Sequence, residues 1–136
     1  MWEIGYVINR EMYETKISTD IIGGLELGGA LIATATSLET SLPLLIIRKD
    51  AKDYGTKSMF VGDFTSSDNI VMIEDVTTSG GSVVDAIKRI LDASGKIKYV
   101  ISVVDRESGA KEALNEIGVK LIPLVTVSDL IGAKTC

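Results

Sequence analysis

In 70-IVMIEDVTTSGGSVVDAI-87 an apolar run ends in two adjacent carboxylates, Glu74 and Asp75, and a turn of threonine, serine and glycine then leads into a helical pattern. The run Ile70–Ile73 does not alternate apolar with polar residues, which suits a strand covered on both faces. Val83, Ile87, Ile90 and Leu91 recur at helical spacing, and Gly95 is suited to stop that helix. In open α/β sheets ligands bind beyond the carboxyl ends of the strands. The turn Thr77-Thr78-Ser79-Gly80-Gly81-Ser82 lies at such an end. Its glycines let backbone N–H groups approach an anion, its hydroxyls add donors, and the helix dipole favours negative charge there. Two carboxylates would repel that anion, so Glu74 and Asp75 are expected to hold another part of the same ligand. The vicinal hydroxyls of a ribose fit, directly or through Mg²⁺. An ordinary N-cap has the same composition, and spacing alone leaves the two readings level. The turn is neither a Walker A loop nor a GxGxxG dinucleotide loop.

Outward from this stretch, short apolar runs alternate with helix-like segments. The runs are 19-TDIIGG-24, 42-LPLLIIR-48, 98-KYVISVVD-105 and 119-VKLIPLV-125; helices are predicted over 28–40, 81–95 and 109–118. This alternation predicts one α/β domain spanning 1–136, with a mostly parallel sheet, right-handed crossovers and flanking helices. Residues 1–18 form a short N-terminal segment. The interval 49-KDAKDYGTKSMFVGDFTSSDN-69 breaks the pattern: it has three lysines, no apolar helical face and a short candidate strand near 58–62. A connection of that length in a compact domain is usually functional or disordered, and 49–69 is read as a flexible basic loop.

Composition narrows the chemistry. The chain of 136 residues has no histidine, which removes imidazole acid–base chemistry, Ser-His-Asp triads and His-ligated metals. The one cysteine, Cys136, allows no intrachain disulfide. A net charge of −5 argues against a nucleic-acid-binding face. No apolar run approaches the roughly 20 residues that span a bilayer, and the first residues lack a signal-peptide layout, so a cytoplasmic location is expected.

The segment IVMIEDVTTSGGS resembles the phosphoribosyl-pyrophosphate (PRPP) motif of type I phosphoribosyltransferases. Three further segments narrow the resemblance: 23-GGLELGGALIATA-35, 46-IIRKDAKDYGT-56, and 103-VVDRESGAKEAL-114 with 124-LVTVSDLI-131. Taken in order over about residues 20–131, they make the chain similar to the orotate phosphoribosyltransferases.

That resemblance implies a type I phosphoribosyltransferase fold and Mg²⁺-dependent transfer of phosphoribosyl from PRPP to orotate, giving orotidine 5′-phosphate and pyrophosphate. It implies that Glu74 and Asp75 bind the ribose hydroxyls. Thr77, Thr78, Ser79, Gly80, Gly81 and Ser82 would hold the 5-phosphate, with Val76 also among the PRPP-binding residues, and Glu26, Leu27, Gly28 and Gly29 would form the pyrophosphate loop. Arg48, Lys49 and Lys52 match basic residues around the pyrophosphate, with Tyr54 where many relatives have histidine. Arg48, Lys49, Lys52 and Asp75 would carry catalysis, while Thr78 and Arg106 would contact orotate, a guanidinium suiting its carboxylate. The bland alternative for Arg106 is an ion pair with Glu107 or Asp105. Lys57 is read as a solvating residue only. Mg²⁺ is expected to be held mainly through PRPP, and the basic loop to reach the partner's site in a homodimer.

Relatives of this kind usually carry an N-terminal hood over the base with a Ser-Gly…Tyr-type motif, which residues 1–18 do not show. Trp2, Tyr6 and Tyr13 are the candidates for stacking on a base. Transfer to another base, such as uracil or a purine, and PRPP binding without turnover are the alternative readings.

Overall fold

The computed structural model describes residues 2–49 and 59–135. Its elements follow the chain as α1 (Trp2–Glu14), β1 (Ile21–Leu25), α2 (Gly28–Thr40), β2 (Leu44–Ile47), β3 (Phe60–Val61), β4 (Asn69–Thr77), α3 (Gly81–Asp92), β5 (Lys96–Asp105), α4 (Ala110–Glu116), β6 (Lys120–Thr126) and α5 (Val127–Thr135). Six strands form one sheet in the order β3-β2-β1-β4-β5-β6. All pairings are parallel except the edge pair β2–β3.

β4 is buried on both faces, as its unbroken apolar run requires. Ile70 and Met72 enter one core layer with Leu25, Leu45, Ile87, Ile90 and Leu114, the layer covered by α3 and α4. Val71 and Ile73 enter the other with Ile8, Met12, Ile22, Ala33 and Ile101, the layer covered by α1 and α2. The period-two alternation of a strand does this sorting. Each isoleucine fully withdrawn from water contributes roughly 1.5–3 kcal/mol to the fold.

Two helices were not anticipated from the sequence. α1 occupies the N-terminal segment and buries Ile8 and Met12, spaced four apart, with Ile4 partly buried beside them. It approaches α2 closely at Gly5, where a Cβ would stand 2.6 Å from the Ala35 carbonyl oxygen. α5 follows β6 directly and opens with a reciprocal cap. The Thr126 N–H donates to Asp129 Oδ2 at 2.9 Å, and the Asp129 N–H donates to Thr126 Oγ1 at 3.1 Å.

The chain runs β1 then β2 toward one edge, returns to the centre for β4, and continues to β5 and β6 at the other edge. The strand order therefore reverses between β1 and β4. A crevice opens beyond the carboxyl ends of strands at such a switch point.

Candidate active site

The loop after β1 and the loop after β4 face each other across that crevice. Together they line a cleft of about 240 Å³ with Glu26, Leu27, Gly28 and Gly29 on one side. Glu74, Asp75 and the run from Val76 to Ser82 line the other side, and Lys49 stands at the end of β2. Their proximity is steric as well as topological. A Cβ on Gly28 would collide with the Asp75 carboxylate, and one on Gly29 would collide with Glu74 Oε1. Gly24, one turn below, lies so near α2 that a Cβ would meet the Gly29 carbonyl oxygen at 2.6 Å. The glycines thus let two acids and a helix start share one small volume.

The two carboxylates differ in environment. Glu74 is buried and Asp75 half-buried. Burial first, and the negative charge of Asp75 second, push the Glu74 carboxyl up to about 8. Near neutral pH Glu74 therefore favours its protonated form, in which it can donate a hydrogen bond as well as accept one.

Gly80 is the N-cap of α3 with φ +88°, a left-handed conformation natural to glycine, and no side chain caps the helix. An ordinary N-cap would show a side-chain oxygen bonded to an N–H two or three residues on. No side-chain oxygen occupies the first N–H groups of α3, which are open to an anion in the cleft. Thr78, Ser79, Gly81 and Ser82 are exposed, and Val76 is 44% exposed. Thr77 behaves differently from its neighbours: its hydroxyl turns inward, donates to Asp105 Oδ1 at 2.8 Å and lies 3.2 Å from Ser102 Oγ.

The segment after β5 braces this turn from behind. The Arg106 N–H donates to the Thr77 carbonyl at 2.9 Å, and the Ala110 N–H to the Thr78 carbonyl at 3.2 Å. The Arg106 side chain is exposed outside the cleft wall. The two acids offered as its ion-pair partners are engaged elsewhere. Asp105 accepts from Thr77, and Glu107 Oε1 accepts from the Ser128 N–H at 2.7 Å.

Of the basic residues, Lys49 lines the cleft. Arg48 does not; it is half-buried, and its N–H donates to the Met59 carbonyl at 2.8 Å, extending the β2–β3 pairing. Lys52, Tyr54 and Lys57 lie outside the described residues. Tyr6 and Tyr13 are exposed on α1, and neither lines the cleft. Among the described residues no cluster of three or more Asp, Glu, His or Cys could hold a metal ion, and no helix is long and apolar enough to cross a membrane. Arg89, on the last turn of α3, was not singled out by the sequence. Its Nη1 donates to the Arg48 carbonyl at 2.7 Å.

A glycine loop and an uncapped helix start, facing each other at the switch point with an acid pair between them, place the chain in the class of type I phosphoribosyltransferase folds. No protein-family model matches the chain. It is 60% identical over 116 residues to the orotate phosphoribosyltransferase of Methanosarcina mazei, a match covering 85% of this chain and 62% of that protein. It is 45% identical over 130 residues to the orotate phosphoribosyltransferase of Pyrococcus abyssi, covering 96% of this chain and 71% of that one. The chain belongs to the orotate phosphoribosyltransferase family. It spans about three fifths of the length of the Methanosarcina relatives it matches. Among solved structures, it superposes on Mycobacterium tuberculosis orotate phosphoribosyltransferase in complex with PRPP at a TM-score of 0.76 and 26% identity. That match covers 93% of this chain and 73% of that one. The Aeropyrum pernix orotate phosphoribosyltransferase shares the fold at a TM-score of 0.83 and 22% identity, covering 98% of this chain and 74% of that one.

Proposed function

We propose that the chain is one phosphoribosyltransferase domain that transfers phosphoribosyl from PRPP to orotate. The observation that carries this reading is the pairing, in one cleft, of an uncapped helix start with the Glu74–Asp75 pair. A ligand that carries both a phosphate and a diol satisfies both, and PRPP carries both.

In this reaction the bond from the anomeric carbon to pyrophosphate breaks, pyrophosphate leaves with the electron pair, and a ring nitrogen of orotate, losing its proton to water or to the departing pyrophosphate, bonds to the same carbon. Positive charge builds on the ribose and negative charge on the leaving group. The N–H groups at the start of α3, with Thr78, Ser79 and Ser82, hold the 5-phosphate. Glu74 and Asp75 orient the ribose through its hydroxyls. The backbone of 26–29 borders the diphosphate. Lys49, with Arg48 and Lys52, supplies the positive field that favours departure of pyrophosphate. Tyr54 adds a hydrogen-bond donor to phosphate. Arg106 and Thr78 take the orotate carboxylate and ring edge. Mg²⁺ would be held mainly through the oxygens of PRPP, where it would neutralise diphosphate charge.

A homodimer with shared sites accompanies this reading, supported by an apolar stripe of Leu27, Leu31 and Leu38 that starts in the cleft wall. These side chains are 71%, 48% and 60% exposed. A cytoplasmic location fits a pathway enzyme of this kind.

A spectrophotometric assay with PRPP, Mg²⁺ and a panel of orotate, uracil and purine bases tests the reading. Orotate consumption with stoichiometric pyrophosphate release is the expected result. Turnover of a different base alone, or PRPP binding without turnover, overturns it.

A further inference from the structure

We propose that Glu26 and Arg89 are positioning residues that grip the Lys49 peptide from both ends and so set where its ammonium stands in the cleft. The inference deepens the phosphoribosyl-transfer reading and rests on it.

Three elements meet at this peptide: the loop after β1, the end of β2 and the last turn of α3. Glu26 Oε1 accepts from the Lys49 N–H at 2.9 Å. Arg89 Nη2 donates to the Lys49 carbonyl at 3.3 Å, while its Nη1 donates to the preceding carbonyl, that of Arg48, at 2.7 Å. One planar guanidinium therefore spans two consecutive carbonyls, a fork that a lysine ammonium does not reproduce. Glu26 is itself anchored, its N–H donating to the Ile47 carbonyl at 3.0 Å. Lys49 is the one basic residue among the described residues that line the cleft, so its placement governs much of the local positive field.

The arrangement also accounts for an apparent contradiction. Glu26 is a carboxylate in the wall of a site that should receive a highly charged anion. As a direct ligand it would repel that anion. As an acceptor bonded to the Lys49 peptide it anchors the cation that attracts it.

Simple electrostatics and positioning predict opposite signs. Removal of a negative charge beside an anion site should tighten binding, whereas loss of an anchor should weaken it. Isothermal titration with magnesium pyrophosphate separates them. Glu26→Gln, which loses the charge and keeps the acceptor, is expected to bind at least as tightly as the unsubstituted protein. Glu26→Ala, and Glu26→Asp with its charge kept but its reach shortened, are expected to bind about tenfold more weakly, as a lost charge-assisted bond implies. Arg89→Lys is expected to lose about fivefold despite unchanged charge, because it cannot span both carbonyls. The Lys49 amide should exchange faster in Glu26→Ala, read by NMR, and circular-dichroism melts identify any variant that fails to fold. Unchanged or tighter pyrophosphate binding in Glu26→Ala and Glu26→Asp, or unchanged Lys49 exchange, overturns the inference alone. Absence of pyrophosphate binding in the unsubstituted protein overturns the transfer reading and this inference together.

Discussion

Gly28 and Asp75 lie against each other so closely that no side chain fits between them: a Cβ on Gly28 would occupy the space of the Asp75 carboxylate. The loop after β1 and the acid pair after β4 are thus fitted as one unit, and a change in either moves the other.

Gly28→Ala should force Asp75 off its present position. Overpacking of this kind costs about 1–3 kcal/mol, and on the proposed reading the displaced carboxylate would no longer face the ribose hydroxyls. Calorimetry should show PRPP affinity falling by about tenfold or more, while a denaturant melt should show a stability loss in that range. An alanine variant that bound PRPP normally would show that Asp75 does not need its place.

Glu74 gives a pH test whose sign is set by its environment. Its folded-state value, about 8, lies above the ordinary 4.5. Below pH 4.5 folded and unfolded chains both carry the proton, and the group costs nothing. Between pH 4.5 and 8 the folded chain retains a proton that the unfolded chain has lost, so stability falls as pH rises. Above pH 8 the whole penalty is present. Glu74→Gln removes the titration, and its Tm should exceed that of the unsubstituted protein by on the order of 10 °C at pH 9. At pH 4 the two should coincide. Parallel melting curves across the whole range would contradict a buried, proton-holding Glu74.

The sheet and its central βαβ units were legible because β4 and the middle of β5 are covered on both faces and read as mainly apolar runs, broken in β5 only by Ser102. α2 was legible over its whole observed span, and α3 lost only its last turn, where the Gly95 N–H bonds back to the Ile90 carbonyl at 2.8 Å. α1 was missed although Ile8 and Met12 keep helical spacing, because Tyr6, Val7 and Tyr13 on its exposed side blur the apolar stripe. α5 was missed although Thr126 and Asp129 spell a capping box, because the apolar run of β6 leads straight into it. In the site, residue types announced the acid pair and the hydroxyl turn. They could not announce that Thr77 points inward, since one polar residue in a run of hydroxyls is set apart only by strand parity. Nor could they announce Arg89, whose partners are carbonyls 40 and 41 residues away and carry no signature in sequence.

The inward Thr77 supports its own prediction. Its hydroxyl and the Asp105 carboxylate form a buried pair, at 2% and 5% exposure, that ties the turn after β4 to the end of β5. Thr77→Val leaves a buried acceptor without its donor, at a cost of about 1–3 kcal/mol. A double-mutant cycle with Asp105→Ala, read by chemical denaturation, should return a coupling of about 1 kcal/mol or more. Additive losses would mean that the two residues are neighbours without being partners.

The leucine stripe bears on assembly. At 3.6 residues per turn, Leu27, Leu31 and Leu38 fall within about 40° of one another around the axis of α2. Their exposure on a helix that starts in the cleft wall suits a second copy of the chain better than solvent, because burying each of them would contribute about 1.5–3 kcal/mol. Glutamate at Leu31 and Leu38 would set buried charges at the centre of such an interface, a burden of several kcal/mol. Sedimentation equilibrium at micromolar concentration should find the unsubstituted protein dimeric and Leu31→Glu/Leu38→Glu monomeric. Far-ultraviolet circular dichroism should be the same for both, since neither leucine belongs to the core. A double variant that stayed dimeric would move the interface elsewhere, and an unsubstituted protein found only as monomer would end the shared-site reading.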